Sequence, residues 1–206
     1  MRALVDTCVF QHAIVSEPTI REVSIEWGGR RFVVPVATTK LKDIPEGWLG
    51  HQIAALRFIA DAARSGRLTL YLAPEVRTEL LGAPAGAFPG HRSNLFHDVP
   101  FEAAPDPLQY GRVVIAAFDP PGAFSKRLRQ FVNGIQDSDF AYLRAALGAT
   151  KVVDAFHILT AERAGLDALL TTDRRLINTV RAATNWRFRV RVLSPVELAD
   201  ALRSDV

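Results

Sequence analysis

The chain opens on a short, wholly apolar run, Ala3-Leu4-Val5, that stops at Asp6. A run that does not alternate reads as a strand buried on both faces, the usual state in a parallel sheet. Leu68-Thr69-Leu70-Tyr71-Leu72 has the same character, and further short strands are predicted near Val99 to Ala103, Ala168 to Thr171 and Phe188 to Leu193. Between the first two, Leu49, Ile53, Leu56, Ala60 and Ala63 recur at alternating spacings of four and three, which predicts an amphipathic helix over 48–65 ended by Gly66. Further helices are predicted near 75–82, 107–118, 124–133, 138–147, 152–165, 174–182 and 195–203. Strands alternating with helices imply βαβ units and a parallel sheet covered on both faces.

Residues 20–37 break this alternation. They read as two strands around Gly28-Gly29, a dipeptide that tolerates the positive φ angles of a two-residue hairpin turn. Pairing across that turn sets Ile25 against Phe32 and Val23 against Val34 on one face, with Glu26 against Arg31 on the other. The expectation is a hairpin inserted immediately after the first strand, its apolar face lying on the domain or on a partner. The 206 residues then form one domain with an insertion at about 17–47 and a variable segment at about 83–125.

Composition narrows the class. At 49% hydrophobic and 23% charged residues the chain can bury a real core, which excludes disordered and low-complexity proteins. Its apolar stretches fall short of the roughly 18 residues a membrane span needs. Asp6 interrupts the first apolar run too early for a signal peptide. Cys8, the single cysteine, cannot close an internal disulfide and fits a reducing cytoplasm. Lys and Arg number 25 against 22 Asp and Glu, a mild excess that tolerates an anionic partner without demanding one.

The chemistry lies in four acids. Asp6 and Asp173 each follow a predicted strand, and in open parallel sheets ligands bind beyond the carboxyl ends of the strands. Asp154 falls in the first turn of the helix that leads into the fourth strand, and Glu79 lies on the helix after the second. Carboxylates converging on one small volume repel unless a cation neutralises them, and oxygen ligands suit Mg2+ or Mn2+. Without that cation, Asp6→Asn or Asp173→Asn is expected to leave the melting temperature unchanged or raised.

LVDTCVF at 4–10, VRTELLG at 76–82 and VVDAFHILTAERAGLDALLTTDRRLI at 152–177 together resemble the PIN-domain ribonucleases, whose members include toxins of bacterial toxin–antitoxin pairs. Residues 17–47 and 83–125 have no counterpart in that resemblance. It implies a three-layer α/β/α sandwich with a parallel sheet in the order 3-2-1-4-5, Mg2+ or Mn2+ as cofactor, and RNA as substrate, cut to a 5′-phosphate and a 3′-hydroxyl. It also implies metal-binding, catalytic acids at Asp6, Glu79, Asp154 and Asp173, with Thr7 and Thr171 or Thr172 as polar companions. A cognate antitoxin protein and a homodimer are partners it would allow.

Plainer readings stand beside these. An Asp after a strand serves most often as a helix cap, a role that also suits Asp137 and Asp139. Glu75, one turn from Glu79, could be the inward acid, although Glu79 has the Leu-Leu pair the family's acid precedes. His157 could donate to a site carboxylate or a phosphate, or be a satisfied half-buried histidine. For RNA, Arg174 and Arg175 lie nearest the chemistry, followed by Lys126, Arg127 and Arg129. Arg187, Arg189 and Arg191 alternate along the last strand, where they could hold phosphates or guard an edge. A phosphotransferase with Asp6 as nucleophile would want an acid two residues later, where Cys8 stands. A catalytically inactive PIN-like module that binds RNA or protein remains the alternative.

Overall fold

In the computed structural model, which describes residues 1–107 and 123–204 (123–125 by backbone alone), Ala3, Leu4 and Val5 are fully buried in strand β1 (Arg2–Val5). Their lack of alternation is explained by position, for β1 is the middle strand of a five-stranded parallel sheet. It pairs with β4 (Thr69–Leu72) on one side and β6 (Ala168–Leu170) on the other. β5 (Phe101–Ala103) and β7 (Arg191–Leu193) complete the order β5-β4-β1-β6-β7. The chain therefore leaves β1 for one flank and returns on the other, and a crevice opens beyond the carboxyl ends of β1 and β6.

Helices cover this sheet in an arrangement compatible with a three-layer sandwich. α2 (Trp48–Arg64) packs on α8 (Pro195–Ser204), while α6 (Val152–Arg163) packs on α4 (Ala123–Asn133) and α5 (Ser138–Leu147). α3 (Pro74–Leu80) follows β4, and α7 (Arg174–Ala182) follows β6. Ala155 through Ala161 are all buried, so α6 is apolar almost all round and runs through the interior. The rings of Phe131 and Phe140 both meet Phe156 edge-on. Among the described residues no helix is long and apolar enough to cross a membrane. The helix expected over 107–118 lies outside the described residues but for Pro107.

The hairpin pairs as its sequence pattern requires, Ile25 opposite Phe32, Val23 opposite Val34 and Glu26 opposite Arg31. Gly28 and Gly29 take φ of 60° and 75° at its tip. Two features differ from expectation. Its strands β2 (Ser16–Trp27) and β3 (Arg30–Leu41) are longer than 20–37, because pairing continues to Ser16 and Leu41. The short helix α1 (Thr7–His12), capped by Asp6, intervenes between β1 and the hairpin. Of the two placements expected for the apolar face, the domain is not the one seen among the described residues: Val23 and Val34 are half-buried, whereas Ile25, Phe32 and Trp27 are exposed. Such a patch is typical of surfaces that meet a partner. Replacing Ile20 to Ala37 with a short Gly-Ser loop is expected to leave the thermal melt within a few degrees of the parent. Loss of folded protein would assign the hairpin to the core.

Candidate metal centre

Asp6 leaves β1 with its backbone amide donating to the Leu170 carbonyl, so the ends of β1 and β6 are tied together where the crevice opens. Its carboxylate is buried and heavily solvated by the protein. Oδ1 accepts from the Thr7 amide at 2.7 Å, and Oδ2 accepts from the Thr171 hydroxyl at 2.7 Å and the Cys8 thiol at 2.9 Å. Asp6 therefore caps α1 through Oδ1 while its Oδ2 reaches Thr171 beside the end of β6. Burial pushes its carboxyl up, but adjacent His157 and these donors outweigh burial and bring the pKa down to about 2. Burial and the Asp6 charge push the Cys8 thiol well up, which keeps it a neutral donor.

Glu79, on α3, reaches the same place. The Thr7 hydroxyl donates to Glu79 Oε2, and burial, with Asp6 and Asp154 close by, raises its carboxyl above the usual range. Asp154, in the first turn of α6, is raised by burial and by Asp6. Glu75 is buried on α3, and among the described residues its Oε2 lacks a hydrogen-bond partner and it is not in the group that gathers around Asp6. Of the two helix acids, Glu79 is the one that joins the cluster.

His157 projects from buried α6 into this cluster. Nδ1 lies 3.5 Å from Asp6 Oδ1 and Nε2 lies 3.8 Å from Glu79 Oε2, and among the described residues neither ring nitrogen finds a hydrogen-bond partner. Burial opposes its charge, yet the carboxylates of Asp6, Glu79 and Asp154 prevail and lift its pKa to about 9. The protonated ring supplies a positive charge that acids alone would lack. Asp6, Glu79 and His157 each offer one ligand atom, all within 4.8 Å of one another. A buried imidazole with both nitrogens unmet is uncommon, and once a divalent cation has displaced the ring proton, two carboxylates and one neutral imidazole make a fitting donor set.

Asp173 stands apart from this trio. Its Oδ1 caps α7 by accepting from the Arg175 and Leu176 amides, and its Oδ2 accepts from Lys151, whose Nζ is also 3.1 Å from Asp154 Oδ2. Burial resists the Asp173 charge, but Lys151 and the helix amides hold its carboxyl below the usual range. Thr171 links the two halves, donating to Asp6 while accepting from the Asp173 amide. Thr172 hydrogen-bonds the His12 ring at 2.7 Å. The threonines thus orient acids and neighbours within the site.

A hollow of about 290 Å3 opens beside the acids, lined by Glu79, Leu128, Arg129, Thr150, Lys151, Val153 and Asp154. Of the cations named from sequence, Arg129 lines it. Arg174 and Arg175 are exposed, with Arg174 lying over the Trp48 ring at 5.6 Å. The last strand is shorter than expected, so three arginines do not share its face. Arg187 precedes β7, pairs with Asp139 at 2.6 Å and covers the Tyr142 ring, while Arg189 and Arg191 line a larger hollow of about 800 Å3. Met1 and Asp167 line that hollow too, which places it at the amino ends of the strands, away from the acids.

Lys151 escaped the sequence reading. Its available signal was the three-residue spacing to Asp154, which sets both on one helix face. No family model matches the chain, and neither a curated protein nor a solved structure matches it.

Proposed function

We propose that the protein is a metal-dependent endoribonuclease that hydrolyses RNA phosphodiester bonds, in the manner of the PIN-domain ribonucleases it resembles. The observation that carries this reading is the buried Asp6–Glu79–His157 cluster at the carboxyl end of the central strand, with both imidazole nitrogens unmet. The order β5-β4-β1-β6-β7 adds support, since counted over the core strands it is the 3-2-1-4-5 of that family. Asp6 and Glu79 would hold Mg2+ or Mn2+, with Asp154 facing both from α6. A bound divalent ion supplies an activated water at neutral pH and offsets charge on the phosphate. Thr171 and Cys8 aim Asp6, and Thr7 aims Glu79. Arg129 and Lys151 offer positive charge to a phosphate in the adjoining hollow. A cytoplasmic setting, a protein inhibitor of antitoxin type and a homodimer belong to the same reading.

The test is cleavage of a mixed RNA pool in Mn2+, in Mg2+ and in chelator, with cleavage expected in the first two alone. Glu79→Gln is expected to stop it and Glu75→Gln to leave it largely intact, as read on the same gel. The reverse result would put Glu75 at the centre instead. One observation favours the rival reading, an inactive RNA- or protein-binding module: His157 and Lys151 already counter the acids without an ion. Metal-independent RNA binding with no cleavage in any buffer would decide for that module.

A further inference from the structure

The four acids of the site fall into two pairs with opposite needs. Around Asp6 and Glu79 the facing cationic group, His157, stands at 3.5 and 3.8 Å and satisfies neither nitrogen. Between Asp154 and Asp173 the opposite holds, because Lys151 Nζ touches an oxygen of each. Both ends of that bridge are anchored. Lys151 ends the turn Ala149–Lys151, its amide donating to the Gly148 carbonyl, and Gly148 adopts a φ of 88° that a side chain would disfavour. Asp173 is pinned through its other oxygen by two α7 amides.

We infer that the Lys151 ammonium is the built-in second cation of the site, so that the centre takes a single divalent ion, on the Asp6–Glu79 side. This rests on the metal-site reading above. A second Mg2+ or Mn2+ between Asp154 and Asp173 would have to compete with Lys151 for Asp173 Oδ2, whose companion oxygen caps α7, and would sit close to a like charge. Lys151 donates to Asp173, ion-pairs with Asp154, and lines the hollow that Arg129 also lines. Lys151 is thus a positioning residue, setting Asp154 and Asp173, that can also meet a substrate phosphate.

Mn2+ titration of the full chain without RNA, followed by the loss of the free-ion magnetic-resonance signal, tests this. The parent is expected to bind one Mn2+ per chain, Lys151→Met two, and Lys151→Arg one, with circular dichroism checking that each variant is folded. Two ions in the parent would overturn the inference and leave the metal site standing. One ion in a folded Lys151→Met would overturn it as well. If Lys151→Met does not fold, the parent stoichiometry and Lys151→Gln carry the same decision. No ion in the parent would remove the metal-site reading, and this inference with it.

Discussion

Asp6→Asn is expected to lower Mn2+-dependent RNA cleavage by more than about a hundredfold, the upper end of what losing even an outer partner costs at a metal site. Asn keeps the size and one acceptor but removes the charge, and Asp6 is the acid most strongly held in the ionised form, at about 2. The same substitution is also expected to destabilise the protein in chelator, contrary to simple repulsion among acids. The reason is that Asp6 is paired with buried His157 and accepts from Thr7, Cys8 and Thr171. A depressed carboxyl pKa stabilises the fold above the ordinary value of 3.8 and loses that contribution as pH falls towards 2. The loss should therefore show at neutral pH and fade in acid. Cleavage assays and melts on one preparation decide the matter. Parent-level cleavage by folded Asp6→Asn would exclude Asp6 from the chemistry.

The second large effect concerns His157. Its pKa rises from 6.5 to about 9 on folding, and one pKa unit corresponds to about 1.4 kcal/mol, so the protonated ring contributes on the order of 3 kcal/mol while both states can hold the proton. The sign is that of a raised base: the contribution is whole below about 6.5, declines as pH rises, and is gone above about 9. His157→Asn in chelator is expected to melt roughly 5 to 10 °C lower at pH 6, with the gap closing by pH 9.5. Removing one partner of a buried charge pair leaves the others uncompensated, which is why the penalty exceeds that of a lost surface ion pair. Saturating Mn2+ should shrink the gap, since the ion takes over the compensating charge. A gap that stays constant across this pH range would mean the ring is neutral and merely packed.

Both effects arise from a centre whose charge is balanced in two different ways. Lys151 closes contact with Asp154 and Asp173, whereas His157 stands off from Asp6 and Glu79. The first arrangement is complete as it stands, and the second has room for an ion.

Local pattern alone determined a good part of this protein. The unbroken Ala3-Leu4-Val5 run marks a strand buried on both faces, since only a sheet covered on both sides hides every residue of a strand. The 4,3,4,3 spacing before Gly66 marks α2, and Gly28-Gly29 sets the hairpin register, because a two-residue turn leaves a single pairing. Asp6 and Asp173 are legible as helix caps after strands for the same local reason. What lies beyond a few residues in sequence was decided by the tertiary structure. Glu75 and Glu79 both sit on α3 with a buried or half-buried carboxylate, and only the packing of that helix against α1 brings Glu79 to Thr7 and Asp6. The Lys151–Asp173 bridge spans 22 residues and depends on where β6 ends beside the start of α6. The His157 charge likewise comes from Asp6 and Glu79 on two other elements, with Asp154 of its own helix, gathered around a buried ring, because electrostatic energy follows distance and burial in space, which sequence spacing does not encode.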